Sequence, residues 1–243
     1  MKDKIFRARE LGMHLPAGVL AIAGLMSLGA SARAAEVTGS AALTSDYVWR
    51  GSTQTQGDAA VQAGFKVAGG SGFYASVWGS NVEFAPEVRA SSELDFTVGW
   101  GTSLNDDWAF DVNVLHYRYP STVVDLNWTE LNGTVTYKGD YWASLGHSNE
   151  ALGYDASGTY AAVGAKFPID DAFRFEAGLA HYFLDDAVVA EDGYTHGSVS
   201  AVWAFKAPFE ARLTAHATDG NAERIFGDDF AGTRVEVAVQ ATF

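Results

Sequence analysis

The chain has 243 residues, with 16 Lys and Arg against 30 Asp and Glu, a formal net charge of −14 and no cysteine. So acidic a chain lacks the basic face that binds nucleic acid, and we predict no nucleic-acid partner. The lack of cysteine excludes disulfides, thiolate nucleophiles and most structural zinc sites.

The first 34 residues have the three parts of a secretory signal peptide. A basic start precedes an apolar run from Ala17 to Leu28, and Ala32-Arg33-Ala34 fits a small-residue cleavage site. The run is too short to cross a bilayer as a helix. We therefore predict a cleaved signal peptide at 1–34 and one exported domain at 35–243. That domain has 11 Lys and Arg against 28 Asp and Glu, a formal net charge of −17.

The rest of the chain shows period-2 alternation and no helical periodicity. Phe96 and Val98, for example, alternate with Asp95 and Thr97. Such alternation is typical of strands with one apolar and one polar face. It predicts twelve strands, at roughly 36–45, 59–68, 72–82, 93–100, 107–118, 127–138, 140–148, 158–167, 172–183, 194–205, 208–218 and 232–243.

The connections between these strands alternate between short and long, as in an up-and-down sheet with two different rims. Strands of about 9–12 residues match the length that crosses a bilayer when tilted. Only helices and closed barrels satisfy every backbone group in lipid. The predicted fold is therefore all-β: a closed antiparallel up-and-down transmembrane β-barrel of about 12 strands in the bacterial outer membrane. The alternative is a soluble periplasmic β-sandwich with the same alternation.

Aromatic residues near strand ends predict the two girdles that flank the apolar band of such barrels. Tyr47 and Trp49 extend the apolar face of the first strand toward the long-loop rim. The short-turn rim receives Trp108, Phe110, Trp203, Phe205, Phe209 and Phe243.

The last strand ends on Phe243, and this ending resembles the signal by which outer-membrane proteins are recognised for assembly. The predicted partners are therefore the barrel-assembly machinery, outer-membrane lipids and a small polar solute.

Several motifs in the first half resemble the TorF family of putative porins of proteobacteria. They are LTSDYVWRG at 43–51 with Gln54-Thr55, then GFY at 72–74 leading to WGSNV at 78–82, ELD at 93–95, YRYP at 117–120 and WTE at 128–130. The second half shares only the architecture and the terminal Phe. The resemblance implies an outer-membrane barrel and a pore, and it transfers no substrate and no catalytic residue.

Turning the apolar face of each strand toward lipid leaves a charged set facing the lumen, because charge on the lipid face is costly. Asp46 and Arg50 lie about 13 Å apart on one strand face at the usual rise, so each needs another partner. We predict them as a constriction pair, with a role at the rim as the alternative. The full lumen set is Asp46, Arg50, Lys66, Glu93, Asp95, Asp111, Glu130, Arg174, Glu176, Glu210, Arg212, Arg234 and Glu236. These charges either line a water-filled pore or form ion pairs that fill a narrow barrel.

Other residues that carry chemistry do not form a recognisable site. His196 and Ser198 have nucleophile–base spacing but face the lumen, and His147 and Ser148 point to opposite faces. Asp-Asp pairs such as Asp228-Asp229 fall in predicted turns. Asp is a favoured turn residue, so we prefer this interpretation to that of a weak cation site. We predict no enzyme, no cofactor and no metal site. Trp78 and Trp142 fit either face.

The sequence thus predicts a porin-like channel for passive diffusion of small polar solutes or ions. The alternative is a non-conducting barrel with a structural, adhesive or receptor role carried by its acidic outer loops.

Overall fold

A computed structural model describes residues 35–86, 88–186, 189 and 191–243. The predicted signal peptide at 1–34 lies outside the described residues. Fourteen strands are formed by the described part of the chain: β1 (Glu36–Thr44), β2 (Val48–Trp49), β3 (Ser52–Thr53), β4 (Ala60–Ala68), β5 (Phe73–Asn81), β6 (Ser92–Ser103), β7 (Trp108–Arg118), β8 (Trp128–Tyr137), β9 (Tyr141–Ser148), β10 (Gly158–Pro168), β11 (Phe173–Leu184), β12 (Gly193–Lys206), β13 (Phe209–Thr218) and β14 (Arg234–Thr242).

Twelve of these strands, β1 and β4–β14, form one closed barrel in which each strand pairs antiparallel with its sequence neighbours. β1 closes the ring by pairing with both β4 and β14. Both edges of β1 are thus hydrogen-bonded to a neighbouring strand, and the closed sheet has no free edge. The predicted fold class and strand number are confirmed.

The two rims of the barrel differ in the length of their connections. At the short-turn rim, which also holds both ends of the described chain, connections contain two to four residues. At the long-loop rim they contain eight to fifteen residues. The longest ones follow β1 and β13, and they hold a hairpin and a helix that the alternation did not predict. A further short 3-10 helix, Ala151–Gly153, lies in the connection after β9.

Side chains alternate between an apolar outer surface and a polar interior, as the pleat requires. Large apolar side chains cover the outside, with Val37, Leu145 and Phe243 each at least 61% exposed. The buried apolar core lies inside the barrel at the long-loop end, where residues from several long loops pack together.

One prediction about secondary structure is wrong. A helix, α1 (Gly220–Phe226), lies between β13 and β14, although the sequence shows no helical periodicity there. Its start is fixed locally, because the Asp219 side chain accepts hydrogen bonds from the backbone amides of Asn221 and Ala222. Seven residues are too few to establish a period, and Phe226 secures the helix by packing edge-on against Tyr194.

Candidate functional site

The barrel interior is the candidate functional site, because all thirteen predicted lumen residues have their side chains there. They are buried or half-buried, whereas the exposed positions beside them in the strands are apolar except for Thr129. Along the barrel axis they fall into two groups. One lies near the short-turn rim and is open to solvent. The other lies near the long-loop rim and is packed.

Near the short-turn rim, four charges form one ion-pair network. Arg174 donates to both carboxylate oxygens of Glu210 at 2.7 and 2.8 Å and to Glu176 at 2.7 Å. Arg212 donates to the other oxygen of Glu176 at 2.7 Å. Side chains of Arg174, Arg212 and Glu210 are 17–26% exposed, so solvent enters this end of the lumen.

A second polar group faces this same vestibule from β4, β5 and β7. The Lys66 ammonium lies 3.7 Å from the ring centroid of Tyr74. The Tyr74 hydroxyl donates to Asp111 at 2.9 Å, and the Asn113 amide donates to the same oxygen at 2.9 Å. The vestibule therefore presents both signs of charge to an entering solute.

Near the long-loop rim, the connection between β1 and β4 folds into the barrel. We call this segment, residues 45–59, the plug. At its centre β2 and β3 form a hairpin with a two-residue turn at Arg50 and Gly51. Both turn residues have positive φ, 45° and 91°, as the tight hairpin turn of this type requires. A Cβ on Gly51 would lie 2.6 Å from Thr218 and 2.9 Å from His196, so the turn touches the barrel wall.

Arg50 ties the plug to the opposite wall. Its guanidinium donates to the two carboxylate oxygens of Glu130 at 2.9 and 2.8 Å. It also lies over the ring of Tyr160 at 3.7 Å, with Trp49 and Tyr182 within 5 Å. Burial lowers the pKa of Arg50, but the charge of Glu130 more than offsets this and leaves the pKa above its usual value. Arg50 is therefore a permanent charge, paired with Glu130 through one of its terminal nitrogens.

Asp46 holds the base of the plug. One carboxylate oxygen accepts hydrogen bonds from Thr53 at 2.5 Å and Thr55 at 3.1 Å. The other accepts from Arg234 of β14 at 3.0 Å. At the end of β1 the Thr44 hydroxyl lies 2.8 Å from the carbonyl oxygen of Asp46 and 2.7 Å from a carboxylate oxygen of Glu236, so Thr44 contacts both the base of the plug and β14.

The aromatic side chains of the plug complete the closure. Tyr47 and Trp49 are each 2% exposed. Trp49 makes edge-on contacts with Tyr117, Trp128 and Tyr182 of the wall. Burial raises the pKa of the Tyr47 hydroxyl well above its ordinary value, and the nearby acids of β6 raise it further. These buried rings of the plug and of the wall fill the lumen at the long-loop end in this conformation.

Two sequence predictions about this segment are therefore wrong. Tyr47 and Trp49 do not belong to an outer girdle, because the first strand ends at Thr44 and the plug carries both rings into the lumen. Asp46 and Arg50 do not share a strand face either. They lie at the base and at the tip of the plug, and their partners are Arg234 and Glu130.

The remaining predicted positions lie as follows. Trp108, Trp203, Phe205, Phe209 and Phe243 are exposed on the outer surface, and Phe110 is half-buried there. Trp78 and Trp142 both pack against the interior core. Glu93 and Asp95 of β6 are buried in the lumen at 0% and 7% exposure.

Side chains with potential for catalysis have structural partners. His196 is buried in the lumen, with its Nε2 2.9 Å from the Tyr160 hydroxyl. His147 lies on the outer surface beside Thr159. Within the described ranges, no group of three or more His, Asp or Glu side chains is arranged to hold a metal ion. No helix in the described part of the chain is long and apolar enough to cross a membrane.

Sequence reasoning missed the inward aromatics that receive the plug, namely Tyr117, Trp128, Tyr160, Tyr182 and Tyr194. A signal for them existed, because each occupies a position of the polar face of its strand. Buried tyrosines on the lumen face indicate an interior that is packed there rather than filled with water.

Comparison with known proteins identifies a family and a fold. A family model described as a bacterial protein of unknown function (Gcw_chp) matches residues 29–243. No curated protein matches the chain. A solved structure described as KdgM porin is similar at TM-score 0.55 and 9% identity, covering 85% of this chain and 99% of its own.

Two further solved structures are similar in the same way. One described as NanC porin reaches TM-score 0.56 at 10% identity, over 85% of this chain and 99% of its own. One described as KdgM porin in complex with disordered oligogalacturonate reaches 0.51 at 9% identity, over 86% and 99%. At these identities the likeness establishes the fold alone.

Proposed function

We propose that this chain, which belongs to the Gcw_chp family of bacterial proteins, is a porin-like outer-membrane channel that the plug closes in the present conformation. The observation that carries the proposal is the closed barrel itself, apolar outside and charged inside. An apolar outer surface around a polar interior suits a wall in lipid and a path for polar solutes. The similarity to porin folds supports the same function.

The permeants we propose are small polar solutes or ions. A solute entering from the short-turn rim meets Lys66, Arg174 and Arg212 together with Asp111, Glu176 and Glu210. Fixed charges of both signs select by charge pattern and size rather than by hydrophobic contact. Passage through the long-loop half requires displacement of the plug, so opening is a separate step from permeation.

One observation favours a second candidate function. The plug is held by a buried ion pair, a network at Asp46 and aromatic packing. If this packing never opens, the protein is a non-conducting barrel that acts through its loops, which is the alternative from the sequence. Opening of the plug is thus the property that separates the two functions.

Planar-bilayer recordings of the refolded domain, residues 35–243, test the proposal. We expect rare conductance steps from the native chain. Arg50→Ala should raise the open probability at least tenfold, because the buried carboxylate of Glu130 then loses its partner in the closed state. The matched control is Arg224→Ala, which removes an arginine from the loop pair with Glu191, outside the lumen. It should leave the open probability unchanged.

A silent bilayer with both variants would contradict channel function, provided that unboiled gel migration shows folded barrels. The same recordings under a salt gradient give the reversal potential. Its sign states whether cations or anions pass, and hence which charges of the vestibule dominate.

A further inference from the structure

The outer surface of the barrel carries an apolar groove of about 560 Å³ between β7 and β12. Gly133, Ala143 and Ala161 leave this space open because their side chains are short, and a Cβ on Gly133 would meet nothing within 4 Å. Leu145 and Leu179 border it and are more than half exposed. The groove is therefore a recess in the apolar wall, separate from the lumen.

The groove crosses neighbouring strands at positions that pair with one another. Because the strands of a barrel are tilted, such a row runs obliquely to the barrel axis. One end lies at Phe110, close to the start of β7 and to the short-turn rim. The other end lies at His181 and Thr195, which pair across β11 and β12 near the long-loop rim. The recess is thus mostly apolar along its length and polar at the end that holds His181 and Thr195.

That polar end offers a hydrogen-bond donor. The Nδ1 of His181 lies 2.9 Å from the Thr195 hydroxyl oxygen. A neutral imidazole and a hydroxyl carry one N–H and one O–H between them, and their mutual bond uses one. In either tautomer one donor of the pair therefore remains for an outside acceptor. If the imidazole is protonated, two donors remain.

The same pair occurs twice more on this wall. His116 of β7 lies 3.0 Å from Thr129 of β8, and His147 of β9 lies 2.9 Å from Thr159 of β10. All three histidines lie near the long-loop ends of their strands. The His147 pair is also engaged by the following loop, since its Nε2 lies 3.2 Å from the Asn149 amide oxygen. His–Thr pairs therefore form a row along the long-loop edge of the apolar wall.

The charge of this wall suits an anion. Outward positions of β7–β12 include Arg118 and the three histidines but no Asp or Glu. Carboxylates of these strands, such as Glu130 and Glu176, point into the lumen, and loop carboxylates such as Glu150 lie beyond the strand ends. One loop carboxylate does reach the polar end of the groove, since Asp219 accepts the backbone N–H of Thr195 at 2.8 Å. Its other oxygen accepts the backbone amides of Asn221 and Ala222, so three N–H donors already hold its negative charge. The outward strand positions themselves carry no acid that would repel an anion at the row of His–Thr pairs.

We propose that this groove binds a phospholipid, with one acyl chain in the recess and the phosphate at the His181–Thr195 pair. The inference rests on the membrane location proposed above. An acyl chain fits an apolar recess that faces the hydrocarbon, and phosphate oxygens accept the remaining donors of the pair. The row of similar pairs holds neighbouring headgroups at the same edge.

The test is lipid retention after reconstitution. The domain is inserted into liposomes that contain phosphatidylglycerol and diacylglycerol with the same chains, extracted in mild detergent and examined by native mass spectrometry. We expect at least fivefold more phosphatidylglycerol than diacylglycerol on the native protein. Ala161→Phe fills the recess and should reduce retention of both lipids at least fivefold. Thr195→Val keeps the shape and should reduce only the preference for phosphatidylglycerol, at least threefold.

Ala63→Phe is the matched control, because Ala63 is an exposed outward residue of β4 on another part of the wall. Equal retention of the two lipids, or equal losses in the Ala161 and Ala63 variants, would overturn the site. So would a native dimer that Ala161→Phe dissociates, since a second copy would then occupy the recess. Failure to insert into liposomes would overturn the membrane location as well, whereas conductance without lipid preference would overturn this site alone.

Discussion

Arg50 shows how one buried charge gains all its stabilisation from partners supplied by the fold. Its guanidinium is 6% exposed and meets a carboxylate that is 1% exposed. Removing two charges from water costs several kcal/mol each, and only a close, well-oriented pair repays that cost. The aromatic rings around Arg50 add cation–π attraction in a buried site. The plug therefore depends on a pair whose two members must stay together.

A double-mutant cycle tests this dependence. Arg50→Met and Glu130→Gln should each lower the free energy of unfolding by about 3–5 kcal/mol, because each leaves an unpaired buried group. The double variant should lose less than the sum of the single losses, since neither unpaired charge is then present. Urea titration of the barrel in detergent measures all four free energies. Strictly additive losses would mean that Arg50 and Glu130 do not act as a pair.

At the scale of the element, the plug is a hairpin whose turn must fit against the wall. Gly51 meets two demands at once: a φ of 91° and an approach to His196 and Thr218 too close for a Cβ. Gly57, in the same segment, has a φ of 86° but open space around it. The two glycines therefore share the backbone requirement and differ in packing.

Comparison of Gly51→Ala with Gly57→Ala separates these two demands. Both variants carry the cost of positive φ, about 1 kcal/mol. Gly51→Ala should in addition loosen the plug, and we expect the open probability in planar bilayers to rise at least fivefold above that of Gly57→Ala. Equal effects would show that the turn does not rest against the wall in the membrane.

At the scale of the whole molecule, the barrel is closed where its two terminal strands meet. The backbone of Gly39 exchanges hydrogen bonds with Phe243, at 2.6 and 2.9 Å. A Cβ on Gly39 would lie 2.5 Å from the Phe243 ring, so the ring covers the glycine on the outer surface. The last residue is thus fixed in the wall and also 65% exposed to whatever surrounds it.

Phe243→Ala tests the predicted role of this residue in assembly. The ring makes few contacts within the barrel, so the thermal stability of refolded protein should fall only slightly. In cells, the fraction that reaches the folded, heat-modifiable state should fall at least threefold, because the terminal aromatic is the predicted recognition feature. Equal losses in the two measurements would assign Phe243 a purely structural role.

Predictions from the sequence succeeded where a strand is defined by its own alternation. The twelve strands, their inward charges and the outward rings at Trp203, Phe205 and Phe209 follow from period-2 patterning. Each such assignment depends on a residue and its neighbours two positions away, so no distant contact is needed to make it.

Predictions failed where the chain leaves the wall. Tyr47 and Trp49 continue the alternation of β1, and Arg50-Gly51 is not among the dipeptides that signal a hairpin turn strongly. The segment therefore resembles the end of a strand in sequence. Only contacts with Glu130, Arg234 and His196, far along the chain, turn it into the lumen.

The sequence by itself determined the class of barrel, its strand number and the side of the wall on which most strand residues lie, Trp78 and Trp142 excepted. Those properties are local, because the pleat assigns alternate residues to opposite faces. The tertiary structure decided which inward charges pair, that the long-loop half is packed, and that Arg50 is at its centre. These depend on which strands lie opposite each other across the lumen, and only the closed barrel brings those residues together.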